Sequence, residues 1–157
     1  MKKSIKKIMM IVASVILCAT SALAAATVCY SCDNDKPVRY DELPAGAKQF
    51  ISEHFAGEQL SHATLDKDFL EKEYTVVFLS GTKLEFKGDG EWKKVDCRYS
   101  AVPAAVVPAE IARYVKDHYP NSQITELKRE PMHWEAKITG GLELTFSSNY
   151  HLIDIDD

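Results

Sequence analysis

Three kinds of residue in this chain could carry chemistry, and their spacing decides how far each goes. Cys29-Tyr30-Ser31-Cys32 has the interval of a thiol redox pair. Such a pair works where a helix N-terminus lowers one thiol's pKa, and here a polar run, Asp33-Asn34-Asp35-Lys36-Pro37, follows instead. With Cys97 the pair makes three thiols, Cys29, Cys32 and Cys97, in the chain expected after the leader is removed. An odd count in an oxidising compartment leaves open a bridge between Cys29 and Cys32, or between one of them and Cys97. The histidines, at 54, 62, 118, 133 and 151, show no His-x-x-x-His interval of the zinc type. His54 and His118 each precede an aromatic residue at an expected helix end, where a histidine suits the helix dipole. The acids cluster as Asp33/Asp35, Asp66/Asp68 and Asp154/Asp156/Asp157. None has the glycine and final glutamate of a calcium loop. No Gly-x-Ser-x-Gly or phosphate-cradling glycine loop occurs. The expectation is a non-enzyme with no cofactor and no metal centre.

The first residues say where the chain goes. Lys2, Lys3, Lys6 and Lys7 precede an apolar run from Ile8 to Cys18 and then Ala22-Leu23-Ala24. A basic start, a short apolar centre and a small-x-small end form a secretory leader, expected at 1–24 and too short to persist as a membrane span. The leader takes four of the 19 basic residues, leaving 15 against 23 acids, a net charge of −8. That balance argues against nucleic acid, which requires a basic footprint. With no second long apolar stretch, no membrane span is expected after export. The localisation expected is periplasmic or secreted.

The elements that must position these residues come in two matching sets. Leu43-Pro44 overlays Val107-Pro108 at an offset of 64, with Phe50 on Tyr114, Ile51 on Val115, His54 on His118 and Phe55 on Tyr119. At an offset of 60, Tyr74 falls on Trp134, Val76 on Ala136, Phe78 on Ile138, Leu84 on Leu144, Phe86 on Phe146 and Val95 on Ile155. Ala47, Phe50, Ile51 and Phe55 recur at helical spacing, as do Ile111, Tyr114, Val115 and Tyr119. Proline opens each helix. Beyond each helix the period drops to 2, with turns at Ser80-Gly81, Gly88-Asp89-Gly90, Thr139-Gly140-Gly141 and Ser148-Asn149. Weaker alternation over 59–65 and 123–129 completes four strands per set. The expected organisation is a polar segment at 25–40, one unit at 41–99 and another at 100–157. Almost every matched position is apolar, Gly or Pro, so the copies preserve a shape and not a reactive constellation.

The expected fold class is α+β: two tandem helix-plus-four-strand antiparallel units, with helices packed on one face of an extended sheet. The opposite strand parity then faces away. It carries Val77, Leu79, Lys83 and Glu85 in the first unit, with Trp92 or Lys94 according to the turn, and Lys137 and Glu143 in the second. Large apolar groups among charges suit a docking surface. The expected binding residues are therefore Val77, Leu79, Lys83, Glu85, Trp92, Lys137 and Glu143. The expected partner is a protein or peptide of the cell envelope.

Several motifs together carry a family likeness. Leu-Pro-x-x-Ala-Lys-x-Phe-Ile-x-x-His-Phe at 43–55, Gly-Thr-Lys-Leu-Glu-Phe at 81–86 and Gly-Glu-Trp-Lys-Lys-Val-Asp-Cys at 90–97 resemble the exported β-lactamase-inhibitor-like, PepSY-like family. Val-Pro-x-x-Ile-x-x-Tyr-Val-x-x-x-Tyr-Pro at 107–120 and Gly-Leu-Glu-Leu-x-Phe at 141–146 continue the likeness. In the family the turn before the tryptophan reads Asp-x-Asp-Gly-Asn-Trp, whereas this chain has Lys87-Gly88-Asp89-Gly90-Glu91-Trp92. The resemblance implies the two-unit sheet, no catalytic residues and a protein-binding role through the open sheet face.

Overall fold

In a computed structural model, residues 35–67 and 71–157 are described. The expected leader, Cys29, Cys32, Asp33 and Asp68 lie outside the described residues. Among the described residues the fold is α+β, with two α-helices and an open nine-stranded antiparallel sheet. The strands are β1 (Lys36–Val38), β2 (Leu60–Lys67), β3 (Lys72–Phe78), β4 (Lys83–Lys87), β5 (Trp92–Asp96), β6 (Ile124–Arg129), β7 (His133–Ile138), β8 (Glu143–Ser147) and β9 (Leu152–Asp156). Each strand pairs with the next in chain order. The helices are α1 (Ala45–His54), capped by Pro44, and α2 (Ala109–His118), capped by Pro108.

The polar segment expected at 25–40 contains a strand that alternation did not reveal. β1 is three residues long and pairs Lys36 with Leu65 and Val38 with Ala63. Pro37 fits there because β1 is an edge, where one side of the strand needs no N–H donors. A short 3₁₀ turn, Tyr40–Glu42, leads toward α1, and the Glu42 carboxylate accepts the Arg39 backbone N–H at 2.8 Å.

Strand register sorts the side chains onto two faces. One row runs through all nine strands: Val38, Ala63, Val76, Leu84, Val95, Leu127, Ala136, Leu144 and Ile155. Its members from Ala63 to Leu144 are buried, five of the larger ones fully. Phe86 and Phe146, also fully buried, take an edge-on ring from a helix: Phe50 of α1 at 5.7 Å and Tyr114 of α2 at 5.4 Å. Rings then continue without a break from Phe78 through Phe55, Phe50, Trp92 and Trp134 to Tyr150, with centroids 5.8–6.1 Å apart. Aromatic pairs at this spacing add about 0.5–1.5 kcal/mol beyond the area they bury.

The β-bulge in β5 corrects one expectation. Glu85 faces Lys94, yet the neighbouring Phe86 faces Trp92, so one extra residue, Lys93, is inserted. The bulge shifts strand parity by one place. Trp92 therefore lies on the apolar side, its ring 5.8 Å from Phe50, and Lys94 takes the opposite face. β9 carries the same irregularity: Thr145 faces Asp154 and Phe146 faces Leu152.

Candidate functional site: the charged sheet face

The parity opposite the core is built almost wholly from charged and polar groups. One row crosses eight strands as His62, Val77, Lys83, Asp96, Glu126, Lys137, Glu143 and Asp156. Beside it runs Thr64, Thr75, Glu85, Lys94, Lys128, Glu135, Thr145 and Asp154. None of these sixteen residues is buried.

Four of the expected residues, Val77, Lys83, Lys137 and Glu143, share the first row, and Glu85 stands in the second. Val77 sits directly opposite Lys83. Leu79 opens the turn directly after β3 and is 65% exposed. Trp92 is on the other side of the sheet. Expected residues Lys137 and Glu143 are cross-strand partners, with nitrogen and oxygen 3.8 Å apart.

Charges of both signs are interspersed on the face, and many are paired. Lys83 meets Glu85 at 2.7 Å, Lys94 meets Glu126 at 2.7 Å, and Lys93 meets Glu73 at 2.6 Å. Lys128 bridges Glu130 at 2.9 Å and Glu135 at 3.1 Å, and His133 holds the other oxygen of Glu135 at 2.7 Å. The electrostatics follow. Burial opposes ionisation of Glu85, but the Lys83 hydrogen bond and the charges of Lys83, Lys94 and Lys93 outweigh it and hold the carboxyl below its ordinary range. Burial likewise opposes ionisation of Glu135, and His133 and Lys128 overturn it in the same direction. The hydrogen bond to Glu130, with Glu135 assisting, pushes the Lys128 ammonium upward. A face of this kind offers fixed charges and hydrogen-bonding groups.

Glu126 and Lys128, at the centre of the face, escaped the sequence reading. A bulge between Ile124 and Glu126 interrupts the alternation of β6, so its buried positions are Ile124 and Leu127, three apart. A period of 2 does not find them. The Lys94–Glu126 pair spans the joint where β5 meets β6, and Cys97 N–H donates to Thr125 O there at 2.8 Å.

The remaining chemistry-bearing residues take structural places. Cys97 is buried and, among the described residues, a free thiol; burial pushes its pKa up to about 11, which makes the thiol inert at neutral pH. His118 stacks on Tyr114 at 4.1 Å, with Nδ1 3.0 Å from the Tyr114 carbonyl, and His54 meets the edge of Phe50 at 4.7 Å. A depression of about 390 Å³ at one end of the sheet is lined by Glu73, Lys87, Lys93, Arg129 and Glu130 among others. Among the described residues, no group of three or more His, Cys, Asp or Glu is placed to hold a metal ion. Among them too, no helix is long and apolar enough to cross a membrane.

Comparison with known proteins agrees with this architecture. The sequence model of the family described as "putative beta-lactamase-inhibitor-like, PepSY-like" matches residues 72–154. A "putative periplasmic protein" from Bacteroides vulgatus is 40% identical, with a TM-score of 0.77 over 80% of this chain and 99% of that one. A "putative calcium-regulated periplasmic protein" from Bacteroides thetaiotaomicron is 39% identical, with a TM-score of 0.77 over 80% of this chain and 98% of that one. A further B. vulgatus periplasmic protein of unknown function is 28% identical, with a TM-score of 0.75 over 78% of this chain and 99% of that one. No curated protein matches the sequence. With its sheet, its motifs and these relatives in agreement, the chain belongs to the PepSY-like, β-lactamase-inhibitor-like family.

Proposed function

We propose that the protein is an exported, non-enzymatic binding module that takes a protein or peptide of the cell envelope on its charged sheet face. In this reading the chain consists of two tandem helix-plus-four-strand units, with their helices on the apolar face, so the other face stays free for a partner. The observation that carries it is the pair of rows from His62 to Asp156 and from Thr64 to Asp154, sixteen residues of which none is buried. Several of these charges are already held in ion pairs, Lys83–Glu85, Lys94–Glu126, Lys128–Glu135 and Lys137–Glu143, so a partner would meet a partly preorganised pattern, and electrostatic complementarity would govern specificity more than raw affinity. Val77 and Leu79 supply apolar contacts at one corner, where the corresponding positions of the second unit are Lys137 and Thr139. The export leader and the periplasmic relatives support the envelope as the place of action.

Capture of partners from periplasmic extract by wild-type protein and by Val77→Asp/Leu79→Asp tests this. Both positions retain exposure, so the double variant should keep its melting temperature and lose the partner. Equal recovery by the two folded proteins would overturn the reading.

A second reading, a periplasmic ligand or metal sensor, draws on the description of the B. thetaiotaomicron relative as calcium-regulated. A specific cation must stabilise the fold it binds. No change in melting temperature at millimolar Ca²⁺ or Zn²⁺ removes this option.

A further inference from the structure

Among the described residues, β9 has one strand neighbour, β8, and ends the sheet. Its register on β8 reproduces that of β5 on β4. Asp156 faces Glu143 as Asp96 faces Lys83, Ile155 faces Leu144 as Val95 faces Leu84, and Leu152 faces Phe146 as Trp92 faces Phe86. The outcomes differ. Val95 has Leu127 of β6 beside it and is 0% exposed, whereas Ile155 is 43% exposed. β6 thus displays, within the same molecule, the kind of strand that completes this edge.

The backbone points the same way. Cys97 N–H reaches across to Thr125 O, and alternate residues of a strand aim their amides to the same side. The Val95 amide is therefore directed at β6, and the Ile155 amide at open edge. There the Ile155 N–H donates to the Asp154 carboxylate of its own strand at 3.0 Å. That amide is satisfied without a partner, by an acceptor that an incoming carbonyl can replace.

Charge selects the occupant. β5 presents Lys94 and Asp96 on either side of Val95; β6 sets Lys128 opposite Lys94 and Glu126 opposite Asp96, and these like charges are relieved on the diagonal, where Glu126 pairs with Lys94. β9 presents acids on both flanks of Ile155, Asp154 and Asp156. A second β9 would set acids opposite acids with no cation on the diagonal to relieve them. A strand carrying an apolar residue between two basic ones covers Ile155 and pairs both acids.

We propose that the β9 edge is a strand-addition site for an extended peptide of basic–apolar–basic pattern, bound antiparallel alongside β9 rather than across the charged face, whose two rows end at Asp154 and Asp156. Main-chain hydrogen bonds would supply affinity and the alternating side chains specificity.

The probe is a capped peptide, Gln-Ile-Thr-Lys-Leu-Lys-Arg, which is β6 with its preceding glutamine and with lysine in place of Glu126. Titrated into ¹⁵N-labelled full chain, it should give saturable amide shifts centred on Leu152–Asp156. Methylating the leucine amide nitrogen should weaken binding about tenfold, since it removes an edge hydrogen bond and adds a clash. Asp154→Lys/Asp156→Lys should weaken it similarly at low salt, and because both residues are exposed the fold should persist. Val77→Asp/Leu79→Asp should leave it unchanged, so this proposal and the face reading fail separately. Equal affinity for the methylated peptide, shifts spread over the charged rows on β2 to β7, or no saturable shift at millimolar peptide would each overturn it.

Discussion

Gly90, in the turn between β4 and β5, lies against Pro44, the cap of α1: a methyl group on Gly90 would fall 2.8 Å from the Pro44 Cβ. The turn is thereby seated on the first turn of the helix. Gly90 also holds φ +91°, a conformation side chains resist. Strain and overlap add, so Gly90→Ala should cost about 3 kcal/mol in urea unfolding. Gly57→Ala, with nothing within 4 Å of the added carbon, should change stability by less than about 0.5 kcal/mol. Equal effects would show that the contact is not closed in solution.

The ring chain makes a second prediction at the joint between β5 and β6. Trp92 and Trp134 are 5.9 Å apart, and the Arg129 guanidinium lies 5.3 Å above Trp92. Trp92→Ala and Trp134→Ala should each cost about 2–4 kcal/mol, as both rings are half-buried. A double-mutant cycle should return a coupling of about 0.5–1.5 kcal/mol. Additive losses would mean that the rings do not interact.

Lys128 separates two carboxylates, so its removal tests the electrostatics of the face. Lys128→Met should lower stability by about 1 kcal/mol at pH 7, as Glu130 and Glu135 lose their shared cation. Glu135 titrates below its ordinary range in the folded state. Its contribution is therefore present above the unfolded carboxylate pKa and fades as pH falls through the folded one. Wild-type and variant stabilities should converge below about pH 4. A gap that stays constant with pH would assign the loss to packing.

Cys97 sets an alkaline limit. Its folded pKa, about 11, lies above the ordinary thiol value. The stability it supports is complete below the unfolded pKa, and it declines as pH rises toward the folded value because the unfolded chain releases its proton first. Of the alkaline loss in the wild type, about 2 kcal/mol between pH 9 and 11 should be missing from Cys97→Ala. The raised lysines Lys93 and Lys94 are common to both proteins and cancel in the difference. Thiol reagents at pH 8 should modify Cys97 only after unfolding, and rapid labelling of the folded protein would contradict its burial.

Most of the described helix and strand pattern could be read from residue order, and the misses have local causes. β1 escaped because three residues, one of them proline, are too few to show alternation. Trp92 was left on either face because a bulge leaves no mark in composition. Glu126 and Lys128 were hidden by the bulge of β6. Val77, Lys83, Lys137 and Glu143 were placed on one parity from alternation alone, and register brings them into one row. Cys97 could be read as bridged or free, since burial depends on neighbours distant in the chain.

Residue order by itself determined which side chains of β3, β4, β7 and β8 turn inward, because facing alternates between consecutive residues whatever lies beside the strand. It also determined where the helices begin, since each is opened by a proline. Only the tertiary structure decided that β5 hydrogen-bonds to β6, joining nine strands in one sheet. It alone decided that Val95 is sealed and Ile155 open, although the two hold corresponding places in the alternation. The physical reason is that a strand's own sequence sets its facing, while its hydrogen-bonding edges are closed by whichever segment the fold lays alongside.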